Sequence, residues 1–180
     1  MPEPSQPQLI LASASPRRLE LLGALGVRFV VEPAEVDEAV RPQERPGEVV
    51  ARLALAKALA TNRLRTGWVV AADTVVVLDG QALGKPGSAA EATRTLRALS
   101  GREHHVLTGL AVLSALGQRA CVQVACSVVR MRPYQEDEIA GYVATGDPLD
   151  KAGAYAIQHR AFSPVERVEG CWANVVGLPL

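Results

Sequence analysis

A chain of 180 residues with 48% hydrophobic side chains and 4% aromatics is long enough for one compact domain whose core Val, Leu and Ala must fill. Nineteen basic residues balance nineteen acidic ones, which excludes a global attraction to nucleic acid or an anionic membrane; an anionic ligand would need a local cluster of cations. The longest apolar run is too short to span a bilayer, and Met1–Gln8, rich in proline and polar residues, lacks the basic and apolar regions of a signal peptide. Residues 1–8 are expected to form a flexible tail ahead of a single domain over 9–180. Cys121, Cys126 and Cys171 are odd in number and lack metal-type spacing, as expected of reduced, mostly buried thiols in a cytoplasmic protein.

Leu9–Ala12 is a short apolar strand candidate, followed by a serine-rich turn and then a helix. Ser15 is a natural N-cap, Pro16 a natural first helical residue and Gly26 a natural stop. Strand, turn and helix start in succession present backbone N–H groups and the hydroxyls of Ser13 and Ser15 at a positive helix end, beside Arg17 and Arg18. Such a turn suits phosphate, although an ordinary capped helix with a basic face has the same residues. Val27–Val31 reads as a second strand that runs into Glu35, Asp37 and Glu38 and a proline-punctuated loop over Arg41–Pro46. A helix is then expected over Gly47–Arg65, with Val49, Val50, Leu53 and Ala60 as its apolar stripe. Lys57 falls on the same side, where a lysine either snorkels outward or reaches a buried anion.

The run Trp68–Leu78 reads as a buried strand interrupted by one charge, Asp73. An isolated carboxylate there is costly, so Asp73 must meet a metal, a cation, water or backbone donors. Asp79-Gly80 signals a hairpin, and Ser88 to Glu91 a capping box opening a helix that ends near Ser100-Gly101. Strands are expected over His105–Leu113 and Ala120–Met131, antiparallel about a turn at Gly117, with Val122, Val124 and Cys126 alternating along the second. Adjacent His104 and His105 point to opposite strand faces, which favours a structural or phosphate-side role over metal ligation. Pro133–Ala144 reads as a short acidic helix, and the turn Thr145–Pro148 leads to Asp150-Lys151 and the small residues before Gln158. Hairpins mixed with helices argue for an α/β fold with a mixed sheet.

The charged residues that break apolar patterns share a chemistry. Asp73 and Glu38, with Asp150 as a third candidate, are carboxylates suited to a hard divalent cation such as Mg2+ or Mn2+. Arg17, Arg18, Lys57, Lys85 and Lys151 are cations able to neutralise a polyphosphate, and no P-loop pattern is present. Together they suggest chemistry on a phosphoanhydride.

In order, Leu11-Ala12-Ser13-Ala14-Ser15-Pro16-Arg17-Arg18, Val36-Asp37-Glu38, Ala71-Ala72-Asp73-Thr74-Val75-Val76, Gly84-Lys85-Pro86, Leu99-Ser100-Gly101, Thr108-Gly109, Asp150 to Gln158 and Asn174 to Pro179 resemble the Maf family of nucleoside triphosphate pyrophosphatases. The resemblance runs over about residues 9 to 180. It implies a mixed twisted sheet with flanking helices, in two lobes around a central cleft, similar to inosine triphosphate pyrophosphatases. It implies a cytoplasmic homodimer that hydrolyses a nucleoside triphosphate to the monophosphate and pyrophosphate with a divalent metal, through water attack on the α-phosphorus. By motif position, Asp73 is expected to activate water or hold the metal, and Glu38 to be its metal-side partner. Lys57 and Lys85 are expected to act on the phosphates in catalysis, and Ser13 and Arg18 to bind them. Arg17, Thr74 and Gln158 resemble the set of the dTTP/UTP branch, and an amide at Gln158 matches a pyrimidine edge that displays carbonyl and N–H together. His159 departs from the small residue the family often has there. At Leu178-Pro179-Leu180 the family usually begins a final helix; either the sequence is cut short there or this version lacks that helix, in which case reduced stability and an altered subunit contact are expected. Two alternatives remain beside the dTTP/UTP reading: a house-cleaning hydrolase for modified nucleotides, and a nucleotide-binding regulator of septum formation.

Overall fold

The computed structural model describes residues 9–61, 67–114 and 119–180. The expected N-terminal tail, the last residues of the helix expected to reach Arg65, and the turn at Gly117 lie outside them. The chain divides into two compact units, one of residues 1–73, 108–125 and 177–179, the other of 74–107, 126–176 and 180. Among the described residues, seven strands form one mixed sheet: β1 (Leu9–Leu11), β2 (Phe29–Val31), β3 (Trp68–Leu78), β4 (Gln81–Leu83), β5 (Glu103–Leu113), β6 (Ala120–Met131) and β7 (Val165–Glu169). Their order is β2-β1-β3-β5-β6-β7, with β4 paired to β3. The α-helices are α1 (Pro16–Gly23), α2 (Pro46–Thr61), α3 (Ala89–Leu99), α4 (Glu136–Ala144) and α5 (Trp172–Val176).

In the first unit β1 runs parallel to both β2 and β3, with Ile10 opposite Val30 on one side and Val69 on the other. Strands buried on both faces read as continuous apolar runs, which is why Leu9–Leu11 carries no alternation. One face packs Ile10, Ala12, Val69, Ala71, Ala111 and Leu113 against Ala54 and Ala58 of α2. The other packs Leu11, Val70 and Ala72 against Leu22 of α1 and Leu178. Helix α2 buries Val49, Val50, Leu53, Ala54 and Ala58, so the face extends through Ala58 whereas Ala60 is only half buried. Small alanines let the helix lie close to the sheet, and Gly109 marks the tightest point: a Cβ there would sit 2.2 Å from the Val50 carbonyl oxygen.

In the second unit β3 turns into β4 through Asp79 and Gly80, at φ 51° and 77°, the double left-handed geometry of a two-residue hairpin. Helix α3 begins at the Ser88 cap, whose side chain accepts from the Glu91 amide at 3.2 Å. Its buried Ala92, Leu96 and Leu99 meet Val76, Leu78, Val106, Val129, Met131, Ile139, Tyr134 and Phe162 in one core. Strand β6 pairs antiparallel with β7 from Val128 to Met131. Its first half differs from expectation. Val122 and Val124 are exposed, as are Cys121 and Cys126, while Cys171 is half buried. The alternation there marks an accessible strand rather than a core face.

Candidate functional site

The first unit assembles the acid expected at the centre of the site with two of its expected neighbours. Asp73 interrupts the buried pattern of β3, with only 15% of its side chain exposed. Lys57, one turn beyond Leu53 on the inner face of α2, brings its Nζ to 2.6 Å from an Asp73 carboxylate oxygen. The same Nζ lies 2.6 Å from an oxygen of Glu38, whose side chain is 57% exposed on an irregular segment. Lys57 therefore does not snorkel to solvent; it bridges two carboxylates from distant parts of the chain.

The serine-rich turn is built as expected at its start. Ser15 is extended at the N-cap with Pro16 in the first turn, and the chain leaves α1 through Ala24 toward Gly26 at φ 70°. The Ser15 side chain makes no capping bond; the buried Ser13 oxygen instead accepts from the Ser15 amide at 3.2 Å and from Arg18 at 3.4 Å. Arg18 also donates through Nε to the Gly177 carbonyl at 2.8 Å, which ties the first motif to the last. Burial lowers the pKa of the Arg18 guanidinium, Asp73 and Glu38 draw it back up, and Arg17 adds repulsion. Arg18 thus stands in the field of both carboxylates. Arg17 is half buried in the first turn of α1.

The other expected residues belong to the second unit. Thr74 follows Asp73 in β3 and is half buried. Lys85 is exposed after β4, and the carbonyl of its neighbour Gly84 accepts from the Gly153 amide at 3.2 Å, joining two motif segments. Gly153 has φ 70°, and a Cβ there would fall within 3.1 Å of Val76, so glycine suits both the turn and the contact. Gln158 is exposed in a β-turn closed by the His159 amide on the Ala156 carbonyl at 3.1 Å. Lys151, read from sequence as a possible polyphosphate cation, is used locally. Its Nζ lies 2.9 Å from Asp147 Oδ1, 2.6 Å from Asp150 Oδ1 and 2.6 Å from the Asp147 carbonyl. That satisfies all three ammonium protons. His104 is buried against Tyr155, Nε2 to hydroxyl at 2.7 Å, which places it in a structural role.

Two supports escaped the reading of the sequence. Arg52 of α2 forks onto Glu44, at 2.5 and 2.7 Å, and donates to the Ala39 carbonyl at 3.0 Å, bracing the segment next to Glu38. The Arg52 hydrogen bond holds Glu44 down at a pKa of about 2. Asp147, together with Tyr142, is the other. A Glu eight residues before an Arg across a proline-rich loop offers no helical spacing, so nothing local marks the first pair.

Chemically, the first unit offers two carboxylates, a bridging ammonium and a guanidinium. Among the described residues no group of three or more His, Cys, Asp or Glu side chains is arranged to hold a metal ion. A two-carboxylate, all-oxygen set still fits Mg2+ or Mn2+ in the mode where substrate phosphates complete the coordination, and the pair already faces one cation, the Lys57 ammonium.

A family model described as Maf-like protein matches residues 8–180. The chain is 47% identical over 181 residues to a dTTP/UTP pyrophosphatase of Geobacter metallireducens, with 100% of this chain and 93% of that protein covered. It is 53% identical over 178 residues to a dTTP/UTP pyrophosphatase of Anaeromyxobacter dehalogenans, covering 97% and 89%. Among solved structures, a HAM1 protein from Coxiella burnetii overlaps with a TM-score of 0.48 at 18% identity, over 69% of this chain and 73% of that one. The ordered motifs resemble the same family that the model matches across nearly the whole length, and the chain belongs to the Maf-like protein family.

Proposed function

We propose that this chain is a nucleoside triphosphate pyrophosphatase that hydrolyses dTTP and UTP to the monophosphate and pyrophosphate. The observation that carries the reading is the bridge from Lys57 to Asp73 and Glu38, beside an arginine held on the serine turn. Its support is the near-complete coverage of relatives named dTTP/UTP pyrophosphatase. The family match over residues 8–180 supports treating 9–180 as one Maf-like domain. From the family resemblance we infer a cytoplasmic homodimer; separately, no described helix is long and apolar enough to cross a membrane.

In this reading, Asp73 and Glu38 would hold Mg2+ or Mn2+. The ion, when bound, supplies charge neutralisation and a more acidic water. Asp73 acts partly as ligand and partly as acceptor of a proton from the attacking water. The water oxygen bonds to the α-phosphorus, the bond to the bridging oxygen breaks, and pyrophosphate leaves with the electron pair. Lys57 and Arg18 offset the charge that grows on the phosphate oxygens, an effect that is strong when the donors are already in place. Ser13 helps to fix Arg18 and the turn amides for phosphate binding. Lys85, Arg17, Thr74 and Gln158 are assigned to substrate binding by their motif positions, with the Gln158 amide facing the base edge.

Product analysis tests this directly. With dTTP and Mg2+, dTMP and pyrophosphate are expected in equal amounts, and a chelator should abolish both. Orthophosphate released without pyrophosphate would refute the cleavage point. A tenfold or greater preference for a modified triphosphate, by order of magnitude, would move the reading to house-cleaning, and binding without turnover would move it to a regulator.

A further inference from the structure

The β-turn Ala156–His159, with Gln158 at its third position, is held at both ends by one side chain. The Tyr142 hydroxyl of α4 accepts from the Ala156 amide at 3.1 Å. The Tyr142 ring lies 4.6 Å from the His159 ring, centroid to centroid, and stacks on Phe162 at 4.4 Å. Phe162 in turn donates its amide to His159 Nδ1 at 3.0 Å, which orients that imidazole against the tyrosine. The hydroxyl proton is committed elsewhere: it is donated to Asp147 Oδ2 at 2.6 Å. Asp147 is locked by Lys151 through both its carboxylate and its carbonyl.

Each link in this chain is polarised by the next. Burial opposes ionisation of Asp147, yet the Tyr142 hydroxyl and the Lys151 ammonium together hold its pKa below the ordinary value. An anionic Asp147 fixes the direction of the Tyr142 hydroxyl, which leaves the oxygen lone pair facing the Ala156 amide. Burial also pushes the tyrosine pKa up, so the hydroxyl keeps its proton throughout the working range. The turn has further anchors in Ile157, which packs against the core of the second unit, and in the Ser163 amide, which donates to the His159 carbonyl at 2.7 Å, while the Gln158 side chain itself stands exposed.

We propose that Tyr142, oriented by Asp147 and Lys151, is a positioning residue that sets base discrimination by holding the turn that presents Gln158. The proposal rests on the assignment of Gln158 to the base edge. A loosely held amide still binds a pyrimidine, but it pays its ordering cost on each encounter and accepts other edges more readily. The effect therefore falls on KM and on the ratio between bases, more than on kcat.

The test is steady-state hydrolysis of dTTP and dCTP by wild type, Tyr142→Phe, Gln158→Ala and the double variant, each with a thermal melt. Phenylalanine retains the ring contacts with His159 and Phe162 and removes only the hydroxyl. Tyr142→Phe is expected to lower the dTTP over dCTP preference about fivefold, mostly through a higher KM for dTTP, as loss of one positioning hydrogen bond implies. In the Gln158→Ala background the same substitution should change the preference by less than about twofold, since the two act through one group. Asp147→Asn, which weakens the orientation without removing the hydroxyl, should shift the preference in the same direction by a smaller factor. Wild-type preference in Tyr142→Phe alongside a lost preference in Gln158→Ala would overturn the positioning role alone. Wild-type preference in Gln158→Ala would overturn the base-edge assignment and the proposal with it. Equal losses of kcat for both nucleotides, together with a lowered melting temperature, would mark Tyr142 as merely structural and overturn the proposal too.

Discussion

Two lysines in this molecule have similar exposure and similar partners but differ in kind. Lys57 and Lys151 expose 12% and 9% of their side chains, and each touches two carboxylates. Lys151 finds its partners four residues and one residue away, plus a backbone carbonyl of the same turn. Its ammonium is saturated by the segment that carries it, as a strut is. Lys57 reaches from a helix to an acid on β3 and to another on an irregular segment whose side chain is mostly exposed. Nothing in the local fold requires those two acids to share one cation. A lysine satisfied by neighbours in sequence stabilises a turn, whereas one that gathers acids from separate elements assembles a place for chemistry.

That contrast can be broken experimentally. Asp73→Asn keeps the shape and removes the charge; kcat/KM for dTTP should fall about a thousandfold, as loss of an acid that both accepts a proton and holds a cation implies. Retention of most of the activity would put Lys57 in the same class as Lys151. Gly109→Ala acts on the support instead. Its methyl would meet the Val50 backbone at 2.2 Å, so unfolding in urea should show a loss of about 3 kcal/mol or non-native chain. An unchanged midpoint would contradict the close approach.

Lys151→Met leaves the partly buried Asp147 without its ammonium, with an expected cost of about 2 kcal/mol, discounted for the 32% exposure of Asp147. The loss in melting temperature should exceed the loss in kcat; the reverse would make Lys151 a phosphate ligand. His104 provides a pH test of the second unit. Burial, with a smaller push from His105, lowers its pKa to about 4 in the folded chain, below the ordinary 6.5. The unfolded chain then takes up a proton between those values and the folded one does not, so stability is lost as pH falls from 6.5 toward 4. About 2 kcal/mol should be gone by pH 5, and His104→Leu should flatten that slope. The smallest effect is expected at the exposed pair Arg97 and Glu136: despite its 2.6 Å fork, Glu136→Gln should move the melting temperature by about 1 °C or less.

Much of this was legible in the chain because it depends on short-range rules. The span of β6, the hairpin at Asp79-Gly80, the Ser88 cap and the Ser15-Pro16 helix start follow from turn chemistry and propensity. Asp73 stood out because one charge broke an apolar run, and Lys57 because it shared a face with Leu53. What failed was choice of partner and of exposure. Val122 and Val124 alternate as a core strand would, yet no element covers them among the described residues that pack the cores. The cysteines beside them are expected to be buried from their odd number and lack of metal-type spacing, which say nothing of where a thiol sits; Cys121 and Cys126 are exposed. The helical period places Ala60 in the stripe of α2 but does not say how far the sheet extends beneath the helix; Ala54 and Ala58 do that packing. Lys151 looked like a free cation since its partner Asp147 sits in a turn, where charges normally signify solvent. Arg52 and Glu44 meet only after the proline loop folds back.

The glycine at 109 has a further meaning for tuning. Val50 and Lys57 are seven residues apart, two turns of α2, and so share one edge of that helix. The strand carries no side chain where Val50 crosses it, so backbone meets backbone, and the standoff of the helix is set by an absent atom. Residue 109 therefore works as a feeler gauge. Any thickness inserted there lifts the rod that carries the ammonium, and the spacing between opposite charges at Asp73 becomes adjustable from the strand surface beneath the helix without touching either charged group.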